Sequence, residues 1–249
     1  DPQGSVWPVG QGLLHAHDFA REYRGTGRLI KGIRQTVAEQ IEYAGESNPL
    51  APQSALASEH GTYYPIVQGP MAWVSEGTEF LEKISESGAL PFLALGTKPG
   101  KEIGSLLSST ARTLKDRPWG VGVLGFLSPE LQKEQLKEVK KVKPPFALIA
   151  GGRPDQVKQL ENEGIETYLH LPAVTLIHSF LKQGVRSYVF EGRESGGHVG
   201  PLGSFPLWEA AISTLLREVH NRNPGVKSGK KDIEGKVRVL FAGGIHDAL

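Results

Sequence analysis

Apolar residues along the 249-residue chain fall into two alternating patterns. Short apolar runs read as buried strands, and longer segments with apolar residues every three or four positions read as amphipathic helices. From Tyr63 onward the two alternate. Tyr64–Gly69 (YPIVQG) predicts the first strand, and Phe80, Leu81 and Ile84 give Thr78–Ser87 one apolar helical face. Ala89–Leu95 predicts the second strand, followed by a helix over Lys101–Leu114. Val121–Phe126 is the third, with Ser128 as the N-cap of a lysine-rich helix beginning at Pro129 and Glu130. Phe146–Ala150 and Thr167–Leu171 follow as strands four and five, with helices over Pro154–Glu163 and Ala173–Gln183. Ser187–Glu191 is the sixth, followed by a helix over Phe205–Val219. Val237–Ala242 is the seventh, and Gly243-Gly244 turns the chain toward a helix near His246.

Seven such units predict a parallel sheet, because parallel neighbours need crossovers of this length. Doubly wound sheets and barrels both satisfy that rule. Regular spacing, and glycines at the carboxyl ends of strands one, four, six and seven, favour an α/β TIM (β/α)8 barrel. Seven β-α units are visible and an eighth strand is missing. With no initiator methionine, and Met71 as its one methionine, the chain reads as an excised piece of a longer protein.

Residues 1–61 differ in pattern and are expected to form an N-terminal helical extension and linker, with residues 62–249 as the barrel domain. Leu29, Ile30, Ile33, Val37 and Ile41 predict an amphipathic helix from Arg28 to Tyr43. Gly45–Gly61, rich in small residues and proline, reads as an extended surface linker. His15, His17 and His60 lack ligand-like spacing and read as surface or capping residues. Asn221–Gly235 is polar and basic, as expected of a surface loop.

Composition narrows the function classes. Lys+Arg at 28 against Asp+Glu at 27 leaves a net charge of +1, which argues against nucleic acid as a partner. No apolar run is long enough to span a bilayer, so no membrane partner is expected. There is no cysteine, which excludes disulfides, thiolate metal sites and cysteine nucleophiles. No His, Asp and Glu cluster has metal-ligand spacing, so no metal is expected. No signal peptide is visible in DPQGSVWPVG, and a cytoplasmic protein is expected.

The stretch richest in chemistry is Tyr188–Gly200, YVFEGRESGGHVG. Its strand breaks into a glycine-dense loop at the carboxyl end, where parallel α/β proteins place their sites. Gly196 and Gly197 let backbone approach a flat ligand, and His198 is of the type that exchanges protons near neutral pH. A tight turn with a hydrogen-bonded histidine is the alternative. His170, ending strand five, could face the same space or be structural. His178, in an apolar helix, reads as a surface or packing residue. Gly151-Gly152-Arg153 could bind an anion or simply turn the chain.

PIVQGPMAWVS (Pro65–Ser75), GALPFLAL (Gly88–Leu95), FEGRESGGHVGP (Phe190–Pro201) and LFAGGIHD (Leu240–Asp247) resemble, in order, the nitronate monooxygenase family, which includes FMN-dependent enoyl-[acyl-carrier-protein] reductases. Lys115–Gly122 and Ala147–Gln156 resemble the form of this domain within modular polyketide or fatty-acid synthases. The resemblance implies an enzyme, an FMN-dependent oxidoreductase, with FMN at the carboxyl face of a TIM barrel. Cofactor-binding positions would be Gly69, Pro70, Met71, Ala72, Glu191, Gly196 and Gly197, with Gly243 and Gly244 as a phosphate-binding turn. A plain βα turn is the alternative for that last pair. His198 matches the catalytic histidine. Reduction of an enoyl thioester is the expected reaction, with NADPH or NADH as possible electron donor and a small-molecule or acyl-carrier-protein-bound substrate. Other synthase domains are the expected partners. Nitronate oxidation with O2 is the alternative, and a non-catalytic docking domain is a third reading.

Overall fold

The computed structural model describes residues 16–222 and 237–245. His15, most of the basic stretch Asn221–Gly235 and the helix expected near His246 lie outside them. The chain divides into two compact units, 1–49 and 50–249.

In the first unit, α1 (Ala16–Glu22) leads into α2 (Thr26–Ser47). The predicted helix extends by two residues before Arg28 and four beyond Tyr43, ending at Asn48, which adopts a left-handed conformation and returns its N–H to Ala44 O. The Tyr23 ring lies so close over Gly32 that a Cβ there would collide with it. No residue of α2 is buried, and Ile30, Ile33, Val37 and Ile41 are all exposed.

The second unit opens with a correction. The stretch read as an extended linker contains a helix, α3 (Ala55–His60), with Ala57 and His60 buried. Ser54, whose carbonyl accepts from Ser58 N, precedes it, and Gly61 ends it. His60 is therefore no surface residue: its Nε2 lies 2.7 Å from the Tyr168 hydroxyl. α3 belongs to this second compact unit, which begins at Leu50.

Seven parallel strands then pair in sequence order: β1 (Val67–Gln68), β2 (Leu90–Ala94), β3 (Gly120–Leu124), β4 (Phe146–Ala150), β5 (Glu166–His170), β6 (Ser187–Glu191) and β7 (Arg238–Ala242). The crossovers carry α4 (Thr78–Glu86), α5 (Gly100–Leu114), α6 (Pro129–Val142), α7 (Pro154–Glu161), α8 (Ile177–Lys182) and α9 (Ser204–Arg222). This is the TIM-barrel order through the seventh strand. β1 is shorter than predicted because Pro65 has no N–H to give a ladder, and Tyr63 and Tyr64 both donate to Gly88 O. The helix expected over Ala173–Gln183 opens as a 3-10 turn, Val174–Leu176, before α8.

Strand alternation sorts the side chains into two layers. Leu93, Val121, Val123, Ala147, Ile149, Leu169, Tyr188 and Phe190 face the helices and pack with Leu107, Val139, Leu160 and Ala211. Phe92, Leu148, Tyr168, Val189 and Leu240 face the other way and fill the barrel interior. Each fully buried Leu, Ile or Phe contributes about 1.5–3 kcal/mol. At the amino-terminal side of that interior, Arg238 donates to Ser187 Oγ at 3.1 Å and to Glu166, and its guanidinium lies 5.7 Å from the centre of the Tyr168 ring. The same parity places Gly69, Gly122, His170, Glu191 and Ala242 toward the carboxyl side.

Candidate active site

Because the strands are parallel, the loops that carry the predicted residues all leave the same end of the sheet. After β1, Gly69, Met71 and Ala72 are exposed, and a Cβ on Gly69 would meet open space. Buried Ser75 closes the turn, its Oγ accepting from Met71 N at 2.8 Å and its N–H returning to Met71 O at 2.9 Å. Ala94 N donates to Ser75 O, fastening the turn to β2. The Pro70 ring packs against the bare Cα of Gly122 on β3. Trp73 has φ +68° and is 91% exposed. Its N–H donates to Glu76, whose carboxylate also pairs with Lys98 Nζ at 2.7 Å. The Lys98 hydrogen bond, aided by the Trp73 N–H, holds Glu76 below its usual pKa.

The loop after β6 is anchored at both ends and open in the middle. At one end Gly192 donates to Ala242 O, and a Cβ on Gly192 or Gly243 would strike Ser204. At the other, Gly200 lies directly on Pro172 O. Between them, added Cβ atoms on Gly196 and Gly197 would meet nothing within 4 Å, and Gly197 has φ +96°, where a larger residue is strained. At Gly69, Gly196 and Gly197, therefore, the backbone is uncovered on the side where a side chain would stand.

His198 stands exposed on this loop, its ring 4.7 Å from that of Phe126. Phe126 in turn covers Gly151. Phe126, expected as the last residue of strand three, lies two residues beyond β3 and so belongs to the loop. The Gly151-Gly152-Arg153 turn serves packing: a Cβ on Gly125 would strike Gly152, and Arg153 pairs with Asp155 at 3.1 Å. His178 is exposed and bonds Glu218 at 2.8 Å, away from these loops.

His170 does lie in the site. It is buried, with Nε2 3.4 Å from Glu191 Oε2. Burial, and secondarily the charge of His198, push the His170 pKa down to about 4. Burial raises that of Glu191, opposed by a hydrogen bond from Ser195 and by the charge of His198. A neutral imidazole thus faces the carboxyl group, so the contact is not a pair of full charges at neutral pH.

Beyond β7, Gly243 and Gly244 turn with φ +116° and +71°. Glu194 occupies the nearby start of α9, accepting from Ser204 N at 2.8 Å and Ser204 Oγ at 2.7 Å. These bonds hold its pKa below the usual carboxylate value, the Ser204 hydroxyl contributing most. Glu194 and Ser204 were not anticipated from the sequence. Among the described residues, no group of His, Asp and Glu is placed to hold a metal, and no helix is long and apolar enough to cross a membrane.

No protein-family model matches the chain. In sequence it is similar to (3aS,4S,5R,7aS)-5-hydroxy-7a-methyl-1-oxo-octahydro-1H-indene-4-carboxyl-CoA dehydrogenase of Rhodococcus jostii (strain RHA1), with 27% identity over 164 residues. That match covers 66% of this chain and 45% of the relative, so the chain spans about half the length of the relatives it matches. In structure it is similar to the enoyl reductase domain of MlnA from the macrolactin biosynthesis cluster of Bacillus amyloliquefaciens, with TM-score 0.58 and 16% identity over 78% of this chain and 51% of that one. It is also similar to nitroalkane oxidase from Streptomyces ansochromogenes, with TM-score 0.56 and 18% identity over 64% and 58% of the two chains. The described residues thus have a TIM-barrel-like α/β fold through seven strands, similar to that of an enoyl reductase domain and a nitroalkane oxidase.

Proposed function

We propose that the chain is the barrel portion of an FMN-dependent oxidoreductase that reduces an enoyl thioester. The observation that carries this reading is the clearance at Gly69, Gly196 and Gly197, each with no protein atom within 4 Å of an added Cβ, on loops at the carboxyl ends of β1 and β6. These glycines, with Pro70, Met71 and Ala72, would receive the flat ring system, and Gly243-Gly244 would offer backbone N–H groups to its phosphate. Bound there, FMN would supply two-electron transfer between a nicotinamide donor, NADPH or NADH, and the substrate. His198, exposed at the same face, would exchange a proton with the substrate. The Phe126 ring packs 4.7 Å from that imidazole.

A thioester substrate is supported by the relative named for a carboxyl-CoA compound, and a synthase setting by the MlnA domain. The likeness to nitroalkane oxidase favours a second reading, oxidation of a nitronate with O2. Supplying the flavin-loaded protein with an enoyl thioester plus NADPH or NADH, and separately with a nitronate plus O2, tests both. Turnover of the thioester is expected. Turnover of the nitronate alone would select the second reading, and a docking domain would turn over neither.

A further inference from the structure

His170 and Glu191 meet at the carboxyl end of the barrel interior, and of the two only Glu191 is among the expected cofactor-binding positions. His170 ends β5 and Glu191 ends β6, and the register aligns His170 with Val189, two residues before Glu191. Side chains two residues apart share a face, so both point into the barrel, from adjacent strands and diagonally offset. Val189 is indeed packed in the interior layer.

The imidazole is only 4% exposed, and its Nε2 has no hydrogen-bond partner among the described residues. A buried ring nitrogen without a partner is unfavourable, because water that would have satisfied it is gone. The nearest acidic oxygen is Glu191 Oε2 at 3.4 Å, a few tenths of an ångström beyond a good hydrogen bond. Glu191 is only partly buried and reaches the face that carries Ser195 and His198. One end of its carboxyl thus meets the interior and the other the open site.

We propose that His170 is a positioning residue whose neutral Nε2–H donates to Glu191 Oε2 and presents the carboxylate to the ligand face in one orientation. The role given to that face rests on the flavin reading. The hydrogen bond itself does not, and it can be measured without cofactor. The groups that face Glu191 are His170 on β5, Ser195 and His198 on its own loop, and Ala242 on β7, which carries no charge. A donor at His170 favours the ionised carboxylate, as a burial-depressed imidazole pKa near 4 permits throughout the neutral range.

The test is the pH titration of the Glu191 side-chain carboxyl carbon by NMR in the cofactor-free protein, for wild type, His170→Phe and His170→Gln. Loss of the donor in His170→Phe should raise the Glu191 midpoint by about one pH unit, the size one hydrogen bond to a carboxylate contributes. His170→Gln, which keeps an N–H, should restore part of it. A midpoint unchanged or lowered in His170→Phe would overturn the proposal. Should His170→Phe fail to fold, the ring-nitrogen shifts of His170 in wild type and Glu191→Gln give the same answer. They should report an Nε2–H tautomer whose hydrogen bond weakens in the variant, and identical shifts would overturn the proposal. Failure of the flavin reading would appear separately, as absence of FMN binding with the Glu191 result intact.

Discussion

The ring of Pro70, in the turn after β1, rests on the bare Cα of Gly122 in the middle of β3. This contact fixes the height of the Gly69–Ala72 turn above the barrel, since Ser75 and Ala94 hold its other side. Gly122→Ala would put a methyl group into Pro70. Overpacking of this kind costs about 1–3 kcal/mol. The variant should unfold at lower denaturant by that amount, and FMN affinity should fall with it because the turn is displaced. Unchanged stability and affinity would show that the turn has freedom to move away.

Acid should weaken the protein through two buried histidines. Burial, reinforced by the charge of Arg238, pushes His60 down to about 4, and His170 is likewise near 4. A histidine with a depressed pKa binds its proton less readily folded than unfolded, so stability is lost as pH falls from about 6.5 through 4. Each group contributes up to about 1.4 kcal/mol per pH unit in that window. Denaturant unfolding at pH 7 and at pH 4.5 should show His60→Gln losing about 2–3 kcal/mol less than wild type. Equal losses would mean that His60 takes up its proton without leaving its place beside Tyr168.

Much of this was readable in the sequence, and what was not has physical causes. Strands two to seven stood out because buried parallel strands are continuous apolar runs. Their glycine-rich ends located the candidate site. β1 shrank because Pro65 interrupts its ladder, a local rule outweighed by the apolar run around it. α3 was hidden because Ala55–His60 is short and lies among prolines and small residues, and what stabilises it is tertiary: buried Ala57 and the His60–Tyr168 contact. The pairs Phe126 with His198 and His170 with Glu191 join residues from different loops or strands. Local periodicity carries no information about which of them meet.

Phe126 should matter to turnover more than to cofactor affinity, since its ring touches His198. Aromatic contacts of this type contribute about 0.5–1.5 kcal/mol, so Phe126→Ala should lower kcat by roughly two- to tenfold. FMN titration on the same variant should give an affinity close to wild type. A loss of affinity with kcat intact would reassign Phe126 to holding the cofactor.

His198→Ala should spare FMN binding and remove the proton-exchanging group. Positioned acid–base groups contribute about 10²–10⁴-fold, and turnover on the active substrate should fall by that order. Wild-type turnover in a flavin-loaded variant would leave His198 as a turn residue packed on Phe126.

Whether the loops carrying Gly69, Gly196 and Gly197 receive FMN is read from the visible absorption spectrum of the purified protein. Flavin bands are expected, close to one flavin per chain, released on denaturation as FMN. Gly197→Val, which adds a side chain at φ +96°, should abolish the bands while leaving the fold intact. A protein that is colourless as purified and stays so after incubation with excess FMN would mean that these loops hold no flavin.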